Sequence, residues 1–436
     1  MNKQTTCTTP MKLLCMAISS VSITGTNAVW AASEFGLDLG LGAERHSNAA
    51  LVSSNEKADT ARLADLNLTW RNSDSALKAD VGYGVQRRDF IDNVQTDQTS
   101  IDGRAALKWD VAPKVFDVIV QHQISQTLGD QRLADTTNNR ERRSVLTGGV
   151  DGYLHLSSVD AIVVSPRYTD VKFNRNTQSN SQRAGTDIDW QHQINAVSSL
   201  GVSTNYTQAK FDDSVQDYNS SSVELNFATT LSRLSYSVAG GYNWIKRDNF
   251  ADANGYTAKL VGAYKGEGLE VGGSLVRELT DTSIGLSQQS YSIANFTAND
   301  TNFDQPDIVT RTQADLYVRW DLTQSTRLNA GIGATTDNYR ITLRDQDQYS
   351  AHVGIAHDLS SRWSVDLSDR YQNTKFLDDP ANLEYKEMVV TAGARCQLNP
   401  KLSFRFEISH LHRQANISTA EYTDKVGLVS VNYRLF

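Results

Sequence analysis

One punctuation recurs about nine times along this chain. An apolar run ends on an Asp or another polar residue, a few small or charged residues turn the chain, and a second alternating run follows. Trp109-Asp110-Val111-Ala112-Pro113-Lys114-Val115, Trp320-Asp321-Leu322-Thr323-Gln324-Ser325, His357-Asp358-Leu359-Ser360-Ser361-Arg362-Trp363 and Cys396-Gln397-Leu398-Asn399-Pro400-Lys401-Leu402 are examples. Longer polar stretches separate these tight turns. Short turns alternating with long polar connections are the pattern of a membrane-spanning β-barrel, with tight periplasmic turns and long outer loops.

The runs between turns have period two. Thr312, Ala314, Leu316, Val318, Trp320 and Leu322 form one face, against Arg311, Gln313, Asp315, Tyr317, Arg319 and Asp321. Leu402, Phe404, Phe406 and Ile408 oppose Lys401, Ser403, Arg405, Glu407 and Ser409, and Leu77, Ala79, Val81, Tyr83 and Val85 oppose Lys78, Asp80, Gly82, Gly84 and Gln86. A soluble sandwich also alternates, with its polar face toward solvent. Three features favour a barrel. The runs are long enough to cross a bilayer when tilted. Trp70, Trp109, Trp190, Trp320 and Trp363 lie beside short turns, as an interfacial girdle requires. The chain ends on Phe436 after alternating Val429, Val431, Tyr433 and Leu435, a terminal aromatic like the assembly signal of such barrels, although one residue out of phase.

The expected fold is therefore all-β, a transmembrane antiparallel up-and-down β-barrel of about 18–20 strands, with 20 the best count. The strands are expected near 34–45, 61–71, 76–88, 99–110, 114–124, 144–156, 159–170, 183–194, 197–208 and 220–231. They continue near 234–246, 256–264, 268–279, 310–322, 325–337, 347–359, 362–373, 385–398, 401–412 and 424–436. A barrel this large leaves an aqueous lumen. The longest connection, about 280–309, is rich in Ser, Asn, Asp and Thr. A mobile surface loop is the favoured reading; a constriction folded inward and a lid over the mouth are the alternatives.

The mean hydropathy of −0.44 is compatible with this fold, because only alternate strand residues meet lipid. No segment after the leader has the run of apolar residues that a transmembrane helix needs. Residues 1–31 read as a secretory signal peptide: Lys12 precedes Leu13-Leu14-Cys15-Met16-Ala17-Ile18, and cleavage is expected after Ala31 or Ala32. Met11 fits a natural start better than Met1. Residues 32–436 then form the single barrel domain. Cleavage removes Lys3 and Lys12 and no acid, so the formal charge moves from −8 to −10. That balance argues against nucleic acid as a partner. Cleavage also removes Cys7 and Cys15 and leaves Cys396, a small lipid-facing hydrophobe, with no disulfide possible.

There is no GxSxG, GxxxxGK[ST], HExxH or CxxC, so no catalytic, cofactor-binding or metal residues are assigned. His410 and His412 lie two apart and are read as a solvated rim pair before a metal site. Acids expected on the inner face are Asp80, Asp110, Asp117, Asp151, Asp187, Asp189, Asp315, Asp321 and Asp366. Bases there are Arg71, Arg88, Arg104, Arg311, Arg319, Arg327, Arg370, Arg395, Arg405 and Arg434. Candidate lumen-lining residues are Asp80, Arg104, Asp315, Tyr317, Arg319, Asp321, Arg327, Asp366 and Arg405. A wetted wall of cross-strand ion pairs, each worth well under about 1 kcal/mol, outweighs a paired-carboxylate enzyme site. With Tyr153, Tyr317 and many Ser, Asn and Gln, such a wall suits hydroxylated solutes.

The segments Leu37-Asp38-Leu39-Gly40-Leu41-Gly42-Ala43-Glu44-Arg45-His46-Ser47-Asn48 and Lys57-Ala58-Asp59-Thr60, with the strand-turn-strand units 319–328, 356–365 and 395–404, resemble the β-barrel porin 2 family. The likeness is one of pattern and spans nearly all of the chain after its leader. It implies an outer-membrane barrel associated with exopolysaccharide or capsule export, usually described with about 18 strands, and carries no catalytic residues. The partners it implies are outer-membrane lipid, the barrel-assembly machinery, periplasmic polysaccharide-export components and the polysaccharide itself. A general solute porin is the second expectation, favoured by any loop folded into the lumen. A structural or enzymatic outer-membrane barrel is the third.

Overall fold

The computed structural model describes residues 33–73, 76–284 and 306–436. The expected signal peptide, with Cys7 and Cys15, lies outside the described residues. Twenty strands follow one another: β1 (Ser33–His46), β2 (Asp59–Ser73), β3 (Leu77–Phe90), β4 (Gln98–Ala112), β5 (Phe116–Leu128), β6 (Arg140–His155) and β7 (Asp160–Phe173). Next come β8 (Ser181–Asn195), β9 (Ser198–Phe211), β10 (Tyr218–Thr230), β11 (Leu234–Arg247), β12 (Ala253–Lys265), β13 (Leu269–Asp281) and β14 (Ile308–Thr323). The last are β15 (Thr326–Tyr339), β16 (Gln346–Asp358), β17 (Trp363–Phe376), β18 (Glu384–Asn399), β19 (Leu402–Ala415) and β20 (Tyr422–Arg434). Every strand pairs antiparallel with its sequence neighbours, and β1 pairs with β20 from Asp38↔Arg434 to His46↔Val426. The sheet is closed and has no free edge, which a spanning sheet requires. All twenty expected strands are present. They extend further than the alternation suggested, chiefly at the loop end, as in β6 and β9.

Register assigns each residue to a face. Large apolar side chains such as Leu41, Leu225, Leu316, Ile332 and Ile408 stand exposed on one face, which only lipid can cover at low cost. Aromatic pairs bracket this belt: Tyr236 and Trp244, Tyr256 and Tyr264, and Trp363 and Tyr371 each lie eight residues apart on one strand. At about 3.4 Å per residue and a tilt near 40°, that interval gives a belt roughly 20 Å high, matching the apolar band of such barrels. The phase mismatch of Phe436 has a simple origin. β20 ends at Arg434, beyond which one bond from Leu435 N to Leu37 O continues the pairing. The Phe436 ring then meets Phe35 edge-on, at 5.9 Å between centroids. Cys396 sits on the lipid-facing phase, but it is buried between its cross-strand neighbours Trp363 and Phe404.

Five of the outer loops share one closure. The backbone N–H of the last residue in an outgoing strand donates to an Asp or Asn side chain just before the next strand. This occurs from Phe90 to Asp97, Phe173 to Asn180, Phe211 to Asp217, Arg247 to Asp252 and Tyr339 to Asp345. The side-chain carbonyl or carboxylate thereby satisfies a donor that the ladder leaves unpaired.

Candidate functional site

The polar face looks into the lumen. Asp281 on β13 meets Arg183 on β8 and Tyr218 on β10, strands that can touch only across the inside of the barrel. The inner wall has two tiers. On the turn side, although Asp117 and Asp151 are buried, the arginines are wet, with the side chains of Arg71, Arg319 and Arg327 all well exposed. On the loop side they are buried, with Arg183, Arg311 and Arg413 each no more than about one-twentieth exposed.

All nine candidate lumen residues lie on this inner face by register. Arg104 Nη2 donates to Asp80 Oδ2 at 3.2 Å, with Arg71 at 3.8 Å from the other carboxylate oxygen. Tyr317 and Arg319 converge on Glu270, at 2.8 and 3.5 Å, a carboxylate that alternation alone did not single out. Asp315 accepts from Gln313 at 2.7 Å. Asp321 faces Arg327 across the β14–β15 ladder, and Arg327 pairs with Asp358 at 3.4 Å. Arg405 joins Asp366 at 3.3 Å and Glu407 at 2.7 Å. At the turn-side rim a cavity of about 280 Å³ is lined by Lys78, Lys108, Lys114, Asp117, Tyr153 and His155 among others, with Lys108 bonded to Asp117 at 2.7 Å. His410 and His412 stack outside the barrel, 6.5 Å between centroids, and His412 Nδ1 lies 2.9 Å from Thr423 Oγ1.

One sector differs from the rest. The inward residues of β9, β10 and β11 include Ser199, Ser203, Asn205, Thr207, Ser220, Ser222, Asn226, Ser235, Ser237 and Asn243. Glu224 and, at the loop end, Arg247 are the charged inward residues of these strands. The result is a strip of hydroxyls and amides beside an otherwise ion-paired wall.

Two segments fold inward at the loop side. The first is the end of the β13–β14 hairpin. β12 pairs with β13 only as far as Ala258↔Arg277, after which β13 leaves the wall while still pairing with β14. Leu279 and Ile308, outward by phase, then pack on the inward residues Ala209, Phe211, Tyr218, Ile245 and Ala253 of the opposing wall. The expectation of a free surface loop is corrected at both its ends: Asp281, Thr282, Ser283 and Asp307 are buried, and Asp307 accepts from the backbone of Ile341 and Thr342. The middle of that connection, 285–305, lies outside the described residues. Apolar residues at Leu279 and Ile308, where an outer loop should be polar, were the signal in the sequence.

The second segment was not anticipated. The connection 129–139 reaches from β5 and β6 to the far loops, past β20 and β1 to β4. Arg132 Nη1 donates to Asp379 Oδ2 at 3.5 Å, Tyr385 OH to Gln131 O at 3.4 Å, and Arg413 Nη1 to Leu133 O at 3.3 Å. Its other flank is held by Gln95, which accepts from Thr137 N and donates to Ala49 O. Burial raises the Asp130 carboxyl, but hydrogen bonds from Arg132 more than offset this and hold it below the usual carboxylate range.

No family model and no curated protein matches the chain. Solved structures do. A point mutant of the ferric enterobactin receptor PfeA from Pseudomonas aeruginosa is similar with TM-score 0.54 and 10% identity, over 92% of this chain and 80% of that one. A double mutant of the same receptor gives 0.53 and 10% over the same shares. The FrpB iron transporter from Neisseria meningitidis, in its F5-1 apoprotein form, gives 0.47 and 8% over 95% and 82%. At these identities the likeness concerns the fold. The closed barrel and its lipid-facing belt define an integral outer-membrane protein of a Gram-negative bacterium, built as a β-barrel channel.

Proposed function

We propose that this barrel is a passive channel for uncharged, hydroxyl-rich solutes, carbohydrate foremost. The observation that carries this reading is the hydroxyl and amide strip on β9–β11. A sugar leaving water gives up hydrogen bonds to it, and Ser, Thr and Asn side chains replace them in kind without the desolvation cost of a charge. The ion pairs elsewhere on the wall mix both signs, which disfavours strong selection of anions or cations.

Two cargoes fit. The resemblance to β-barrel porin 2 supports an exit pore for a secreted exopolysaccharide or capsule, fed by periplasmic export components and inserted by the barrel-assembly machinery. The two inward segments support a general porin for small solutes, because they narrow the loop-side half. For a polymer, the segments would have to shift aside. Deleting the gene and quantifying surface and periplasmic carbohydrate separately tests the choice. Loss of surface polymer with periplasmic accumulation, restored by the intact gene, supports export. Unchanged polymer in both fractions, under conditions where the parent makes it, removes export and leaves the solute channel.

A further inference from the structure

Charge on the lipid-facing surface is distributed unevenly. Among the described strand residues, every Lys or Arg on the outward face lies in the loop-side half of its strand. Part of this comes from a repeated dipeptide, Lys172-Phe173, Lys210-Phe211 and Lys375-Phe376, which ends β7, β9 and β17. In each, the Phe is buried on the inner face, so the Lys beside it must point outward. Lys246 on β11, Lys386 on β18, Lys425 on β20 and Arg62 on β2 extend the series around the ring. Lys210, Lys246, Lys375, Lys386, Lys425 and Arg62 are exposed, and none has an ion-pair partner among the described residues. The chain as a whole is acidic, at −8, so composition does not account for this collar.

Its height is informative. Lys246 follows the belt residue Trp244 by two positions, and Lys375 follows Tyr371 by four. At about 3.4 Å per residue along a tilted strand, the ammonium groups stand roughly 5–10 Å beyond the apolar belt, at the level of lipid headgroups. The loop side is the cell exterior in this architecture.

We propose that the collar docks the phosphates of a phosphorylated glycolipid in the outer leaflet. Lys386, Lys425 and Arg62 sit on alternate strands of the ring, each four residues along the strand from the last by register, hence roughly 16 Å between successive Cα atoms, a gap that their long side chains can shorten. A headgroup carrying more than one phosphate bridges such sites and gains the effective concentration of a tethered second contact. A lipid with one phosphate engages one cation at a time. The lipid belt alone requires only apolar and aromatic groups, so the cations have a separate role.

The test uses the full barrel refolded into phosphatidylcholine vesicles, alone, with lipopolysaccharide, or with phosphatidylglycerol at the same phosphate content. The readout is the thermal unfolding midpoint. One variant carries Lys386→Gln, Lys425→Gln and Arg62→Gln; a second carries Lys210→Gln and Lys246→Gln on a different arc of the ring. The expected result is a rise in midpoint with lipopolysaccharide that exceeds the rise with phosphatidylglycerol, shrinks with salt, and falls by about half or more in each variant. An equal rise in parent and variants overturns the proposal, as does an equal rise with the two lipids. Should one variant fail to refold, the other decides.

Discussion

Asp281 reaches past β9, β10, β11 and β12 to Arg183: its Oδ2 lies 2.5 Å and its Oδ1 3.2 Å from the two terminal guanidinium nitrogens. Both side chains are almost fully buried, and Ser283 N donates to the same carboxylate at 2.7 Å. This pair is the main polar tether holding the β13–β14 hairpin against the opposing wall, beside the apolar contacts of Leu279 and Ile308.

Removing one member should release the tether. Arg183→Ala leaves a buried carboxylate without its cation, which in a rigid site costs about 3–5 kcal/mol. Here the hairpin can move outward and hydrate Asp281, so part of that cost is exchanged for opening. The expected result is a higher single-channel conductance in planar bilayers together with a lower unfolding midpoint. The double variant Arg183→Ala/Asp281→Ala should match the conductance and recover part of the stability. Unchanged conductance in both would show that the hairpin does not limit the pore.

The crossing loop 129–139 offers a pH-dependent counterpart. The Asp130 carboxyl lies below its ordinary value in the folded barrel. A carboxylate with a depressed folded pKa contributes stability that is present above its unfolded value, about 4, and is lost as pH falls through the folded one. Asp130 orients Arg132, with Nη2 at 2.6 Å from its Oδ2, and Arg132 in turn holds Asp379. Amide hydrogen exchange within 129–139 should therefore be slow and flat near neutral pH, after correction for intrinsic rates. Protection should fall below about pH 4, and Asp130→Asn should show the weakened protection already at neutral pH.

The strands and the polarity of each face were legible in the sequence because one physical rule, period two against lipid, governs the residues that form the barrel wall in each strand from β1 to β20. The turns at Pro113-Lys114 and Pro400-Lys401 were equally plain. The two inward segments were not. Arg132, Asp379 and Gln131 have the composition of any outer loop, and only the curvature of the closed sheet brings them together. The buried loop-side tier left a fainter trace: Phe90, Phe173, Phe211 and Phe376 fall on the polar phase of their strands. An aromatic on the phase meant for water indicates that something covers it there. Ion pairs were expected to be weak and solvated. That fits Arg319 and Arg327, whereas Arg311 holds Asp337 in a buried bidentate pair at 2.6 Å through both Nε and Nη2.

Thiol chemistry can check both faces. Cys396 is buried beside Trp363 and Phe404 at the turn-side edge of the belt. It should resist a charged, water-soluble thiol reagent in the folded barrel and react fully once the chain is unfolded in denaturant. In a Cys396→Ala background, Ser222→Cys on the inner strip should react readily in reconstituted barrels. Its outward neighbour Val223→Cys should be protected by lipid. Reversed reactivities would overturn the assignment of the β10 faces.

The sharpest energetic test uses two adjacent residues of β10. Leu225 is exposed on the outward face near mid-strand, whereas Asn226 faces inward and donates to Ser203 Oγ at 3.1 Å. Leu225→Lys places an ammonium against acyl chains, which in such barrels costs about 2–4 kcal/mol at the bilayer midplane. Asn226→Lys places the same group in the wet lumen, where it loses one modest hydrogen bond and lies near Glu224, a net change below about 1 kcal/mol. Equilibrium unfolding in urea from phosphatidylcholine vesicles measures both. The predicted difference between neighbours arises from the phase of the strand alone, because side chain and depth are nearly the same. If the two substitutions cost the same, the belt is not in contact with lipid and the membrane-embedded reading of β10 fails.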